Sequence, residues 1–99
     1  MYRIVWQFDA EPDRVAEFER EYGRDGVWAR LFRAGEGYLG TELFRSLDHP
    51  ARFVTVDRWS SRAAYDAFRV AREQEYAGVD TQCERLTRAE ELVARGEEP

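Results

Sequence analysis

Three side chains near the middle of the chain carry groups able to act on an aromatic substrate: Asp57, Trp59 and Tyr65. Asp57 and Trp59 belong to the run Arg52-Phe53-Val54-Thr55-Val56-Asp57-Arg58-Trp59, which is rich in β-formers, so both side chains face the same side of a strand. A carboxylate aimed into an apolar pocket loses hydration, its pKa rises, and it can then take a proton from a phenol or an anthrone. The competing role for Asp57 is an ion pair, with Arg3 or Arg45 on adjoining strands as partners. Tyr65 falls one turn into the helix that follows. A phenol with a pKa near about 10 donates to a substrate oxygen and does not act as a base. Trp59 closes the strand, either as a core anchor for the helix entrance or as a pocket wall.

These groups must be positioned by the elements around them. Residues 2–8 alternate, with Tyr2, Ile4, Trp6 and Phe8 on one face, and predict a strand. The acidic, proline-containing stretch Asp9 to Asp13 opens a helix with Val15, Phe18 and Tyr22 on one side and Gly23 as its stop. A second short helix is expected over 27–34. Residues 37–45 and 52–59 predict an antiparallel hairpin around the turn 46–51. Ser60 or Ser61 caps a helix with Ala64, Tyr65, Phe68, Ala71 and Tyr76 inward, interrupted at Gly78 and resumed from Asp80 to Leu86. Thr87 to Glu90 has capping-box spacing, but a β-α-β-β-α order leaves one strand slot open. The expectation is therefore a turn at 87–90, a short strand over 91–95 and a disordered tail at 96–99. That order is the ferredoxin-like α+β plan, in one domain spanning residues 1–99.

Composition narrows the function. All fifteen basic residues are Arg, against twenty acidic ones, giving a net charge of −5 and a pI of about 4.9. An acidic chain lacks the electrostatic footprint of a nucleic-acid binder. No apolar run reaches membrane-spanning length, and the first residues do not resemble a signal peptide. Cys83 and His49 are the single cysteine and histidine, too few for an internal disulfide or a Cys/His metal centre. No metal or other cofactor is expected, and the location expected is the cytoplasm. His49 reads as a loop residue and Cys83 as a small packing residue. Three Trp, five Tyr and six Phe are many rings for 99 residues. Trp6, Phe8, Phe44 and Phe53 on strands and Trp28, Phe32 and Phe68 on helices read as core. They form the pool from which an aromatic-binding cavity would be lined, with Trp6, Phe8, Trp28, Phe32 and Phe68 as the candidate binding residues.

The segment Asp57-Arg58-Trp59-Ser60-Ser61-Arg62-Ala63-Ala64-Tyr65-Asp66-Ala67-Phe68 resembles the antibiotic biosynthesis monooxygenase superfamily. The helix entrance from Pro12 to Phe18 and the strand Gly37 to Leu43 are similar to it as well. The resemblance covers residues 1 to about 78. It implies a ferredoxin-like fold paired into a homodimeric α+β barrel, with an apolar pocket between sheet and helices. Haem-degrading members carry Asn, Trp and His where this chain has Trp6, Phe68 and Gly78, so that branch does not fit. In cofactor-free, quinone-forming members a Trp and a Tyr six residues later are implicated, and Trp59 and Tyr65 match that spacing. The Asn those enzymes carry four residues before the Trp is Thr55 here, which can donate one hydrogen bond to a substrate oxygen. The resemblance thus implies oxygenation of a polycyclic or phenolic substrate without metal or flavin, with Trp59, Tyr65 and Asp57 catalytic. Two other readings stand beside it: a non-catalytic dimer binding a small apolar ligand, and a purely structural dimer.

Overall fold

A computed structural model describes all residues, 1–99. Its strands are β1 (Tyr2–Ala10), β2 (Tyr38–Arg45), β3 (Arg52–Trp59) and β4 (Thr87–Glu97). They form one antiparallel sheet in the order β2-β3-β1-β4, which is the ferredoxin-like arrangement. The helices are α1 (Val15–Tyr22), α2 (Val27–Phe32), α3 (Arg62–Ala71) and α4 (Glu73–Cys83).

The alternation of β1 and β3 decides which face of the sheet the helices cover. Tyr2, Ile4, Phe8 and Ala10 on β1 and Phe53, Thr55, Asp57 and Trp59 on β3 are all buried. Across the two strands Tyr2 stands opposite Trp59, Ile4 opposite Asp57, Trp6 opposite Thr55 and Phe8 opposite Phe53. On this face the apolar residues divide into two clusters. One gathers Phe8, Phe18, Tyr22, Phe53, Cys83 and Leu86; the other gathers Tyr2, Ile4, Phe32, Trp59 and Phe68. Trp6 and Trp28 pack against both. The seam that these two indoles bridge is where the interior is not filled.

The opposite face carries Val5, Val54 and Val56, half-buried, and Phe44, half-exposed. No helix lies over it.

Four expectations need correction. Residues 87–90 are not a turn: β4 begins at Thr87, with Thr87 opposite Ala10 and Ala89 opposite Asp9. The strand also runs on through Gly96 and Glu97, and Arg3 binds Glu98 at 3.0 Å. The cause is the edge of β1, whose backbone groups would otherwise lie unpaired. Gly78 does not interrupt its helix but sits within α4; the break falls at Arg72 (φ −120°, ψ 29°). Ala71, next to that break, is exposed and not inward. Of the two candidate caps it is Ser61 that closes α3, accepting from the Ala64 N–H at 3.0 Å.

Candidate functional site

Glycine sets the geometry of the site. Tyr38 pairs with Trp59 and Gly40 with Arg58, so Leu39 is the extra residue of a β-bulge. Gly40 has φ +139°, a conformation that residues with a Cβ rarely adopt. The bulge re-phases the rest of β2 and brings Thr41 directly opposite Asp57. Tyr38 and Thr41, three apart and on opposite faces in a regular strand, thereby share a side. The Tyr38 hydroxyl lies 2.6 Å from Thr41 Oγ1, and Thr41 donates to Asp57 Oδ1 at 2.6 Å. Because the Thr41 proton is committed to Asp57, the Tyr38 hydroxyl is the donor to Thr41.

Asp57 is 8 % exposed and forms no ion pair. Arg3 binds Glu98 and Arg45 binds Glu19, so neither suggested arginine reaches it. Burial pushes its carboxyl up to about 6, against the opposing pull of the Thr41 hydrogen bond. Its second oxygen meets no protein donor.

Asp57, Thr41 and Thr55 form the buried end of a cavity of about 140 Å³. Its walls are Trp6, Phe8, Tyr22, Trp28 and Phe32. Tyr76, Asp80 and Glu90 complete it at the more exposed end. Trp28 meets Tyr76 edge-on at 5.0 Å between ring centroids, and its indole Nε1 is buried without a hydrogen-bond partner. Burial raises the Tyr22 and Tyr76 hydroxyls well above the usual phenol range, so both remain neutral donors. Partial burial, reinforced by the nearby Asp80, also raises Glu90. No group of three His, Cys, Asp or Glu side chains is placed to hold a metal ion. Burial likewise holds the Cys83 thiol up at about 11, which makes it unreactive.

The cavity brings together six of the nine residues singled out from the sequence: Trp6, Phe8, Trp28, Phe32, Thr55 and Asp57. Trp59, Tyr65 and Phe68 are not among its lining residues. Trp59 is completely buried, ringed by Tyr38, Phe68, Tyr65 and Phe32 at centroid distances of 5.2, 5.1, 5.4 and 5.9 Å. Tyr65 packs on Trp59 and Tyr2, and its hydroxyl accepts from Arg69 at 3.0 Å. The sequence puts Tyr22 and Tyr76 on inward helix faces without assigning them to a cavity, and it gives no site role to Thr41, Asp80 or Glu90. The signal for Thr41 is the Gly37-Tyr38-Leu39-Gly40 stretch, whose second glycine marks a bulge; the others lie on elements whose inward faces depend on tertiary packing.

Fold and cavity together define a ferredoxin-like α+β domain with an aromatic pocket between sheet and helices. The family profile described as antibiotic biosynthesis monooxygenase matches residues 1–75, and the chain belongs to that family. Among solved structures, the N63A mutant of SnoaB, a cofactor-independent oxygenase from Streptomyces nogalater, is similar with a TM-score of 0.75 at 20 % identity. That match covers 98 % of this chain and 91 % of the other. A putative antibiotic biosynthesis monooxygenase from Deinococcus radiodurans gives 0.73 at 17 % identity, covering 100 % of this chain and 93 % of that one. A further one from Bordetella bronchiseptica gives 0.68 at 21 % identity, covering 99 % and 96 %. At these identities the likeness is one of fold. No curated protein matches the chain at a significant level. No helix is long and apolar enough to cross a membrane.

Proposed function

We propose that this protein is a cofactor-independent monooxygenase that converts a single-ring phenol to a quinone, with Asp57 as the base. The observation that carries the reading is Asp57 itself. It is a buried carboxylate with one oxygen held by Thr41 and the other unpartnered, at the closed end of an aromatic cavity. A volume of about 140 Å³ is close to the roughly 150 Å³ of a cavity that accepts benzene. It suits one ring and not a polycycle.

The chemistry closes without a further reductant. Asp57 takes the phenolic proton, and the electron-rich phenolate reduces dioxygen at a carbon ortho to its oxygen, forming a C–O bond to a peroxide that recovers the proton from Asp57. The O–O bond then breaks; hydroxide leaves and combines with the ring proton at that ortho carbon, giving the ortho-quinone and one water. The four electrons dioxygen gains are the four the ring loses. Aromatic walls exclude water from the peroxide.

The protein works as a homodimer in this reading, pairing the open sheet face through Val5, Val54, Val56 and Phe44. A cytoplasmic location fits its single unpaired cysteine. The second reading, a non-catalytic binding module, is favoured by one observation: Trp59 and Tyr65, the pair matching the quinone-forming spacing, lie outside the cavity. Oxygen uptake with 4-methoxyphenol and 4-alkylphenols separates the two. The oxygenase consumes one dioxygen per quinone formed. A binding module changes Trp fluorescence with the same compounds and consumes none.

A further inference from the structure

The open end of the cavity is acidic as well as aromatic. Asp80 on α4 and Glu90 on β4 both line it, and neither is ion-paired with any Arg. Arg69 is not among the lining residues: it lies 3.7 Å over the Tyr76 ring with its guanidinium bonded to the Tyr65 hydroxyl. It feels the charge of Asp80 without forming an ion pair with it. Asp80 and Glu90 line the same opening, and Glu90 feels Asp80 as a like-charged neighbour. At the other end Asp57, nine-tenths buried, presents an oxygen with no protein partner. Three carboxylates therefore converge on a small aromatic chamber with no cation among its lining residues.

We infer that the ligand is a phenol bearing a protonated amine, its ring in the chamber beside Asp57 and its ammonium between Asp80 and Glu90 at the mouth. The chemistry favours this class on three counts. An ammonium satisfies two carboxylates that otherwise repel each other across the opening. The rings of Trp6 and Trp28, which line the chamber, attract a cation beside them. The same positive charge offsets the phenolate that Asp57 generates, whereas an acidic substituent would meet repulsion from all three carboxylates. The inference rests on the oxygenase reading only in setting the hydroxyl end of the ring beside Asp57.

The test compares three compounds of one shape at low ionic strength: tyramine, 4-ethylphenol and 3-(4-hydroxyphenyl)propionate. Binding is followed by isothermal calorimetry. Tyramine is expected to bind about tenfold tighter than 4-ethylphenol, and the propionate more weakly than either. An Asp80→Asn, Glu90→Gln double variant, altered only at exposed side chains, is expected to bind tyramine and 4-ethylphenol alike while holding 4-ethylphenol as well as the parent does. Equal binding of tyramine and 4-ethylphenol by the parent overturns the inference, as does a preference that survives the double substitution. Binding of none of the three overturns it too. Oxygen uptake without amine preference contradicts this inference alone, and amine preference without oxygen uptake contradicts only the oxygenase.

Discussion

Thr41 on β2 donates a 2.6 Å hydrogen bond to Asp57 on β3, and the Gly40 bulge is what brings the two residues opposite each other. A catalytic carboxylate in a dry cavity needs two opposed influences. Burial raises its pKa so that it can accept a proton, and a hydrogen bond keeps the ionised form accessible near neutrality. The strand irregularity supplies the second.

Removing that bond is expected to move the pH dependence of the reaction. With Asp57 at about 6, kcat/KM should rise through pH 6 and level off above it. In Thr41→Val the charged carboxylate loses a donor, and the rising limb should shift upward by about one unit or more. Superimposable profiles for parent and variant would show that Thr41 does not tune the base.

The same carboxyl makes stability depend on pH. Its folded pKa lies above the unfolded value of 3.8, so between those values the folded state holds more protons than the unfolded one. Its favourable contribution is complete below about pH 4 and is lost as pH rises through about 6. Relative to Asp57→Asn, the parent should lose roughly 2.5 kcal/mol between pH 4 and pH 8, since about 1.8 of the pH units separating the two pKa values count within that window and each is worth about 1.4 kcal/mol. Urea unfolding of both proteins at the two pH values reads this directly; a constant difference contradicts it.

Gly40→Ala tests the bulge. A Cβ there meets φ +139° and the Arg58 guanidinium at 2.9 Å. The expected cost is about 1–3 kcal/mol of stability, together with the same upward shift of the pH profile as in Thr41→Val. A variant that is less stable but keeps the parent profile would separate the bulge from the tuning of Asp57.

Trp59 and Tyr65 are expected to act through packing. Trp59→Phe removes part of a completely buried indole and should lower stability by about 1–3 kcal/mol while leaving kcat within a few-fold. Tyr65→Phe should lose only its bond from Arg69. A hundredfold fall in kcat in either variant, with the fold intact by circular dichroism, would put these side chains in the chemistry.

The uncovered sheet face predicts association. Light scattering should give twice the 11.7 kDa of one chain, and Val56→Glu should return it to a single chain. A parent protein that scatters as one chain at micromolar concentration contradicts the dimer.

Much of this was legible from period-two alternation. The inward faces of β1 and β3, and with them Asp57, Thr55, Trp6 and Phe8, follow from side chains that alternate strictly. Thr41 was hidden because a bulge reverses parity, and parity is the only register information a lone strand carries. β4 was misjudged at its start because its burial does not alternate: it is an edge strand with almost every residue exposed, held by backbone pairing to β1. Asp80 reads as the start of a further helical turn and Glu90 as one end of a capping box. Only the approach of α4 to the β1–β4 edge brings them to one opening. Trp59 was read through a spacing, and spacing does not distinguish a ring that lines a cavity from one that fills the core beside it.

Oxygen consumption by the parent and by Asp57→Asn, measured side by side with electron-rich single-ring phenols including tyramine and 4-methoxyphenol at pH 7.5, tests the central claim most directly. The parent should consume one dioxygen per quinone formed, and the variant should be at least about a hundredfold slower. Equal rates in the two proteins, or no consumption by the parent above the protein-free control, would contradict an oxygenase built on Asp57.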